Sequence, residues 1–225
     1  MRSKPDLAEG IIRFFRNLKL SAQLPKGIGM MNPYQDSSTM ALVEAFYRRY
    51  YADNNPRILM LGINPGRFGA GATGISFTDP IRLETVCGIK NPLPKKPELS
   101  SDFIYRMIEA YGGADRFYHR YLVSAVSPLG FTLHGKNLNY YDDKKLEAAI
   151  RPFAVASITH LVNLGMVRSR CYCVGEGKNV KFLNELNEEE HWFREIIALP
   201  HPRFIMQYKR KQLSGYIDKY LAALS

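Results

Sequence analysis

Two polar side chains in this 225-residue sequence, Asn64 and His201, stand directly after apolar runs and inside turns stiffened by proline. Asn64 follows Ile58-Leu-Met-Leu-Gly-Ile63 and is held by Pro65 and Gly66. An amide is too weak to serve as a strong base. It can accept a hydrogen bond from water and fix its direction, which suffices when the bond being broken is already largely dissociated at the transition state. N-glycosidic bonds fit that need. His201 has a proline on each side, Pro200 and Pro202, and those rings restrict its backbone. A rigidly held imidazole can donate a hydrogen bond to a carbonyl oxygen that gains negative charge as a group departs. His119, His134, His160 and His191 have no such setting. Each residue alone also has a plain reading, as a polar residue that fills a turn.

The turn at Asn64 continues as Gly66-Arg67-Phe68-Gly69-Ala-Gly71-Ala-Thr73-Gly74-Ile-Ser-Phe77, so with Gly62 the stretch holds five glycines. Such a loop lets backbone approach a ligand closely. Gly66 to Thr73 nearly spells a phosphate-binding P-loop, but Ala72 takes the place of the lysine that meets the phosphates. Gly69, Gly71 and Gly74 match a dinucleotide-binding pattern, yet they start well past the apolar run and lead into Ser76, Thr78, Asp79 and Pro80. The third reading takes Asn64 as the functional group. Phe77, returning over the same pocket, would then offer its face to a planar ring, unless it is ordinary core packing.

After His201 the chain reads Pro202-Arg203-Phe204-Ile205-Met206-Gln207-Tyr208-Lys209-Arg210-Lys211. An apolar tip with cations around it can wedge into a base stack while the cations meet phosphates. Alternatively, Lys209 to Lys211 solvate a terminal helix whose Leu213, Ile217, Tyr220 and Leu224 face inward.

The elements that would position these groups follow from the hydrophobic pattern. Arg57 to Ile63 predicts a strand buried on both faces, and similar runs lie at Tyr121 to Val126, Cys171 to Val174 and Glu195 to Leu199. Helical spacing fills Leu7 to Leu20, a helix from a Ser37 or Ser38 cap to Tyr50, Phe103 to Tyr111 and Leu146 to Val167. The alternation predicts a three-layer α/β/α fold around a mostly parallel sheet of about four strands, with ligands beyond the carboxyl ends. The whole chain reads as one domain, with the helical segment 1–55 packed against it.

Lys and Arg number 31 against 21 Asp and Glu, a formal charge of +10 that favours a polyanionic partner. The three cysteines, Cys87, Cys171 and Cys173, form no disulfide or metal-binding pattern, so neither a metal nor another cofactor is expected. No apolar run is long enough to span a membrane, and an intracellular, cytoplasmic monomer is the expectation.

With both stretches in view, the sequence resembles the uracil-DNA glycosylase superfamily, most closely its single-strand-selective monofunctional branch. The resemblance lies in Gly62-Ile-Asn64-Pro-Gly66-Arg-Phe-Gly69, then Thr73-Gly74 and Phe77; in Ser127-Pro128-Leu129 and Gly135-Lys136-Asn137-Leu138; and in His201-Pro202. It implies that Asn64 orients the attacking water, that Phe77 lies under an extruded base and that His201 stabilises the leaving group. By the same resemblance, Ile63, Gly66, Phe68, Phe77, Ser124 and Ala125 would bind the base. Arg67, Lys136, Asn137, Arg203, Phe204, Ile205, Lys209, Arg210 and Lys211 would bind DNA. Two positions depart from the family pattern: Ala125 stands where an asparagine reads the uracil edge, and Ile205 stands where an arginine intercalates. The implied activity is hydrolysis of a deaminated base, uracil foremost and xanthine or another damaged base besides, without strand cleavage. The rival readings are a catalytically silent DNA-binding module on the same fold and a nucleotide-binding enzyme built on Gly69 to Gly74.

Overall fold

The computed structural model describes residues 6–225. In chain order the elements are α1 (Leu7–Arg16), β1 (Ile28–Met31), α2 (Ser37–Tyr51), β2 (Ile58–Gly62), α3 (Ala70–Thr73), α4 (Pro80–Thr85), α5 (Leu99–Tyr111) and α6 (Ala114–Arg120). They continue with β3 (Tyr121–Ala125), β4 (Gly130–Leu133), β5 (Lys136–Leu138), α7 (Lys144–Asn163), β6 (Cys171–Val174), α8 (Lys178–Glu190), β7 (Ile196–Leu199), α9 (Pro202–Tyr208) and α10 (Leu213–Leu224).

Four of the strands form a parallel sheet in the order β3-β2-β6-β7, flanked by helices. Every residue of β2, β3 and β6 is buried, which is why these strands read as unbroken apolar runs. From β2 the chain moves outward to β3, then crosses back over β2 to β6. With right-handed crossovers, that reversal puts helices on both faces and opens a crevice at the carboxyl ends.

Several boundaries differ from the pattern-based expectation for local reasons. The cap of α2 is Asp36, whose carboxylate accepts from the Thr39 N–H at 2.7 Å, so Ser37 and Ser38 fall inside the first turn. Helix α1 stops at Arg16 because the Asn17 side chain turns back to the Arg13 carbonyl at 2.9 Å. The segment 1–55 is not wholly helical. Its β1 joins β4 and β5 in a small antiparallel sheet that the sequence reading did not anticipate. The β4–β5 hairpin turns on His134 and Gly135, both at positive φ (48° and 70°), as a two-residue turn matched to strand twist requires.

Two buried groups tie the sheet to its surroundings. Arg57, wholly buried at the start of β2, donates to the carbonyls of Tyr118, Asn55 and Tyr50 and pairs with Asp53 at 2.8 Å. A buried cation is tolerated only when its donors are satisfied in this way. Tyr121 and Tyr172 donate to the Leu224 and Ala223 carbonyls, and Tyr220 of α10 donates to the Pro200 carbonyl at 2.5 Å, beyond the carboxyl end of β7. The turn that carries His201 is therefore pinned from beneath by the C-terminal helix.

Candidate active site

The carboxyl ends of β2, β3, β6 and β7 surround a cavity of about 290 Å³. Ile63, Asn64 and Gly66 follow β2; β3 contributes Ser124 and Ala125; Gly175 and Glu176 follow β6; His201 follows β7. Phe77, Asn137, Arg203 and Phe204 also line the cavity.

Asn64 is held at both ends of its amide. Its Oδ1 accepts from the Tyr140 N–H at 3.0 Å, and its Nδ2 donates to the carbonyls of Leu138 and Pro65 at 3.2 and 3.4 Å. These partners fix which end is oxygen, and they leave that oxygen one further lone pair. Tyr140 is itself held, because its hydroxyl donates to Asn179 Oδ1 at 2.7 Å while Asn179 Nδ2 reaches the Val174 carbonyl at 3.3 Å. The orientation of Asn64 thus depends on segments that follow β5 and β6 as well as on its own turn.

Phe77 is brought over the end of β2 by the Thr73-Gly74 turn. Thr73 Oγ1 accepts from the Ile75 N–H at 3.2 Å and donates to the Thr78 carbonyl at 2.7 Å, while Gly74 takes φ +72°. Phe77 itself has φ +53°, unusual for a residue with a side chain. Its ring rests on the backbone of Gly62, where an added β-carbon would lie 2.8 Å from the ring. The Phe77 and His201 rings are 6.1 Å apart between centroids and inclined at 57°.

His201 is the N-cap of α9. Its Nδ1 accepts from the Arg203 N–H at 3.2 Å, which puts the proton of the neutral ring on Nε2. Burial, and secondarily the Arg203 cation, push its pKa down to about 4, so the ring is neutral at physiological pH. A neutral imidazole with a fixed Nε2–H is a hydrogen-bond donor rather than a general acid.

The remaining expected residues divide into three groups. Arg67 lies beside the cavity and ties the β2 turn to the hairpin, since both its backbone N–H and its Nε donate to Asn137 Oδ1 at 3.2 Å. Lys136, Arg210 and Lys211 are exposed and Lys209 half-buried, all outside the cavity wall. Two expectations need correction. Phe68 does not line the cavity; the turn swings it outward, where it is 43% exposed beneath the cations of Arg67 and Lys96. Ile205 is wholly buried, because α9 begins at Pro202 and its period turns Ile205 and Met206 inward, so Ile205 cannot contact DNA.

The same period turns Phe204 and Tyr208 outward. They are 45% and 72% exposed, with ring centroids 5.7 Å apart, and both lie at the cavity mouth. The floor at β3 is nearly apolar: Ala125 offers only a methyl group, and the buried Ser124 hydroxyl has no hydrogen-bond partner. Sequence reasoning passed over Glu98, whose carboxyl also lines the cavity. Its position before a helix was readable as a cap, but nothing local linked it to the β2 turn. Among the described residues no three His, Cys, Asp or Glu side chains converge as a metal would require, and no helix is long and apolar enough to cross a membrane.

A four-stranded parallel sheet in this order, with an asparagine after its first strand and a histidine after its last, is matched across residues 49–225 by the model of the uracil DNA glycosylase superfamily. The chain belongs to that superfamily and is a DNA N-glycosylase. It is similar to the wild-type SMUG2 of Pedobacter heparinus, whose crystal structure superposes with a TM-score of 0.95 at 47% identity, covering 98% of this chain and 97% of that one. No curated protein matches the sequence significantly. Family membership removes the nucleotide-binding reading. Within the fold, Gly69 and Gly71 serve close packing: an added β-carbon would meet Glu98 Oε2 at 2.2 Å and the Gly66 carbonyl at 2.7 Å, respectively.

Proposed function

We propose that the protein removes a deaminated base from DNA by hydrolysing its N-glycosidic bond, with uracil as the foremost substrate, and leaves an abasic site without cutting the strand. The observation that carries this reading is the convergence of Asn64, Phe77 and His201 on one cavity. An extruded base stacks on Phe77. Asn64, with its amide fixed by Tyr140 and Leu138, accepts from the attacking water through its remaining lone pair. As the glycosidic bond lengthens, charge builds on the base oxygen, and His201 Nε2–H donates to it in a site where little water competes. No lysine is assigned as a nucleophile, so the reaction is simple hydrolysis. With Gly66 on one side and no amide at Ala125, the pocket does not restrict the base to uracil.

The test is direct. Oligonucleotides carrying single uracil, xanthine or hypoxanthine residues, incubated with the protein and heated in alkali, are expected to break at the modified position. If all three survive, the reading is wrong.

The outward pair Phe204 and Tyr208, with Arg203 before it and Lys209, Arg210 and Lys211 after it, supplies apolar faces for neighbouring bases and cations for phosphates. The double variant Phe204→Ala/Tyr208→Ala is expected to weaken binding of the oligonucleotide about tenfold or more, from about 1–3 kcal/mol per lost base stack. Fluorescence anisotropy checks this, and an unchanged Kd would remove the pair from the interface.

A further inference from the structure

Glu98 is the one carboxyl in the cavity wall that the hydrolytic mechanism leaves unused and that lies against the β2 turn. Its backbone N–H donates to Asp79 Oδ2 at 3.1 Å, which anchors the residue as the cap of α5. Its side chain then reaches across the Gly66–Gly69 turn. An added β-carbon would lie 2.2 Å from Oε2 at Gly69 and 3.5 Å from Oε1 at Gly66, so the turn is bare where the carboxyl lies. Among the described residues the carboxyl accepts no hydrogen bond, and in this half-buried residue neither oxygen is shut off from the cavity. Burial and the nearby Asp79 push its pKa up and the Arg203 cation partly opposes them, leaving it at about 7. The other titratable groups around the same cavity are Glu176, His201, Tyr141 and Tyr208.

A carboxyl in a cavity wall that no protein group engages is free to hydrogen-bond a ligand placed there. In its neutral form it is a strong donor and an acceptor together. The cavity wall at β3 offers no such group, since Ala125 is apolar and the Ser124 hydroxyl is sealed.

We propose that Glu98 is a specificity-determining residue of this pocket, whose carboxyl hydrogen-bonds the base edge facing the Gly66–Gly69 turn and so favours bases with a ring carbonyl there. The inference rests on the glycosylase reading above. Deaminated bases share such a carbonyl in place of an amino group, and the neutral acid donates to it. As pH rises through about 7 the donor ionises, a carboxylate faces the carbonyl, and excision slows.

The experiment compares wild type, Glu98→Gln and Glu98→Ala in single-turnover excision of uracil, xanthine and hypoxanthine from one oligonucleotide sequence, from about pH 5.5 to about 9. The wild type is expected to slow on the alkaline side of pH 7. Glu98→Gln, which keeps a donor and an acceptor but does not titrate, is expected to lose that inflection and to change the ranking of the three bases. Glu98→Ala is expected to slow excision about 3- to 10-fold, the effect of one hydrogen bond between neutral groups. A glutamine variant with wild-type pH profile and wild-type ranking overturns the proposal, whatever the alanine variant does. If the wild type itself releases none of the bases, the glycosylase reading fails and the inference falls with it, a result distinct from active enzymes that all behave alike.

Discussion

His201→Ala is expected to lower the single-turnover excision rate by about 10²- to 10³-fold, the usual effect of removing one preorganised donor to a developing anion. The substitution deletes the Nε2–H of a ring that lines the cavity and also the Nδ1 cap of α9. Loss of the cap alone costs about 1 kcal/mol of stability, so the protein should remain folded and bind unmodified DNA much as before. His201→Asn separates the two effects, since a short amide can keep the cap but places its donor differently. Acid should report the same arrangement. With the pKa of His201 at about 4, acidification should bring no loss of excision near 6.5, the ordinary value for a histidine, and on the acid side the rate should decline only as the pH approaches about 4. The sign of the stability change follows by linkage. Between 6.5 and about 4 the unfolded chain takes up a proton that the folded chain refuses, so stability falls with pH across that window. A rate that falls on acidification through 6.5, or an alanine variant that turns over at the wild-type rate, would remove His201 from its assigned place.

The second large effect is expected at Asn64. Asn64→Ala removes the acceptor proposed to direct water and should slow excision by about 100-fold or more while the oligonucleotide still binds. It also strands the Tyr140 N–H and the Leu138 carbonyl, at about 1–3 kcal/mol for each group left unpaired, so a lower Tm should accompany the loss. Asn64→Asp divides the two contributions. The carboxylate still accepts from Tyr140, but it sets an oxygen against the Leu138 carbonyl. If the alanine variant keeps wild-type activity despite a lowered Tm, Asn64 is a structural clamp and the water must be directed from elsewhere.

Much of this was legible in the sequence wherever the physics is local and periodic. The run from Ile58 to Gly62 announces a strand buried on both faces, and Asn64 follows it within the same turn. The prolines around His201 mark a stiff turn, although not that the histidine would cap a helix starting at Pro202. The small sheet escaped notice because β1, β4 and β5 are short and partly exposed, with neither a continuous apolar run nor a clear alternation. Phe68 was misjudged because closeness in a motif is not closeness in a cavity; the turn at Arg67 carries its ring to solvent. Ile205 was misjudged because an ungapped comparison of residues ignores where a helix begins. Glu98 was invisible for another reason: its significance depends on two glycines in a different loop, and only the fold brings them together.

The clamp on Asn64 joins residues 76 positions apart in sequence, and the tether from Tyr121 to Leu224 spans 103. Such distant pairings form only once most of the chain has condensed. Positive charge, by contrast, is present in any state of the chain, compact or not. A nascent or partly unfolded molecule can therefore cling to DNA while having no means of cutting a glycosidic bond. Competence arrives only with the finished tertiary structure, which spares sound bases from molecules that have not completed folding.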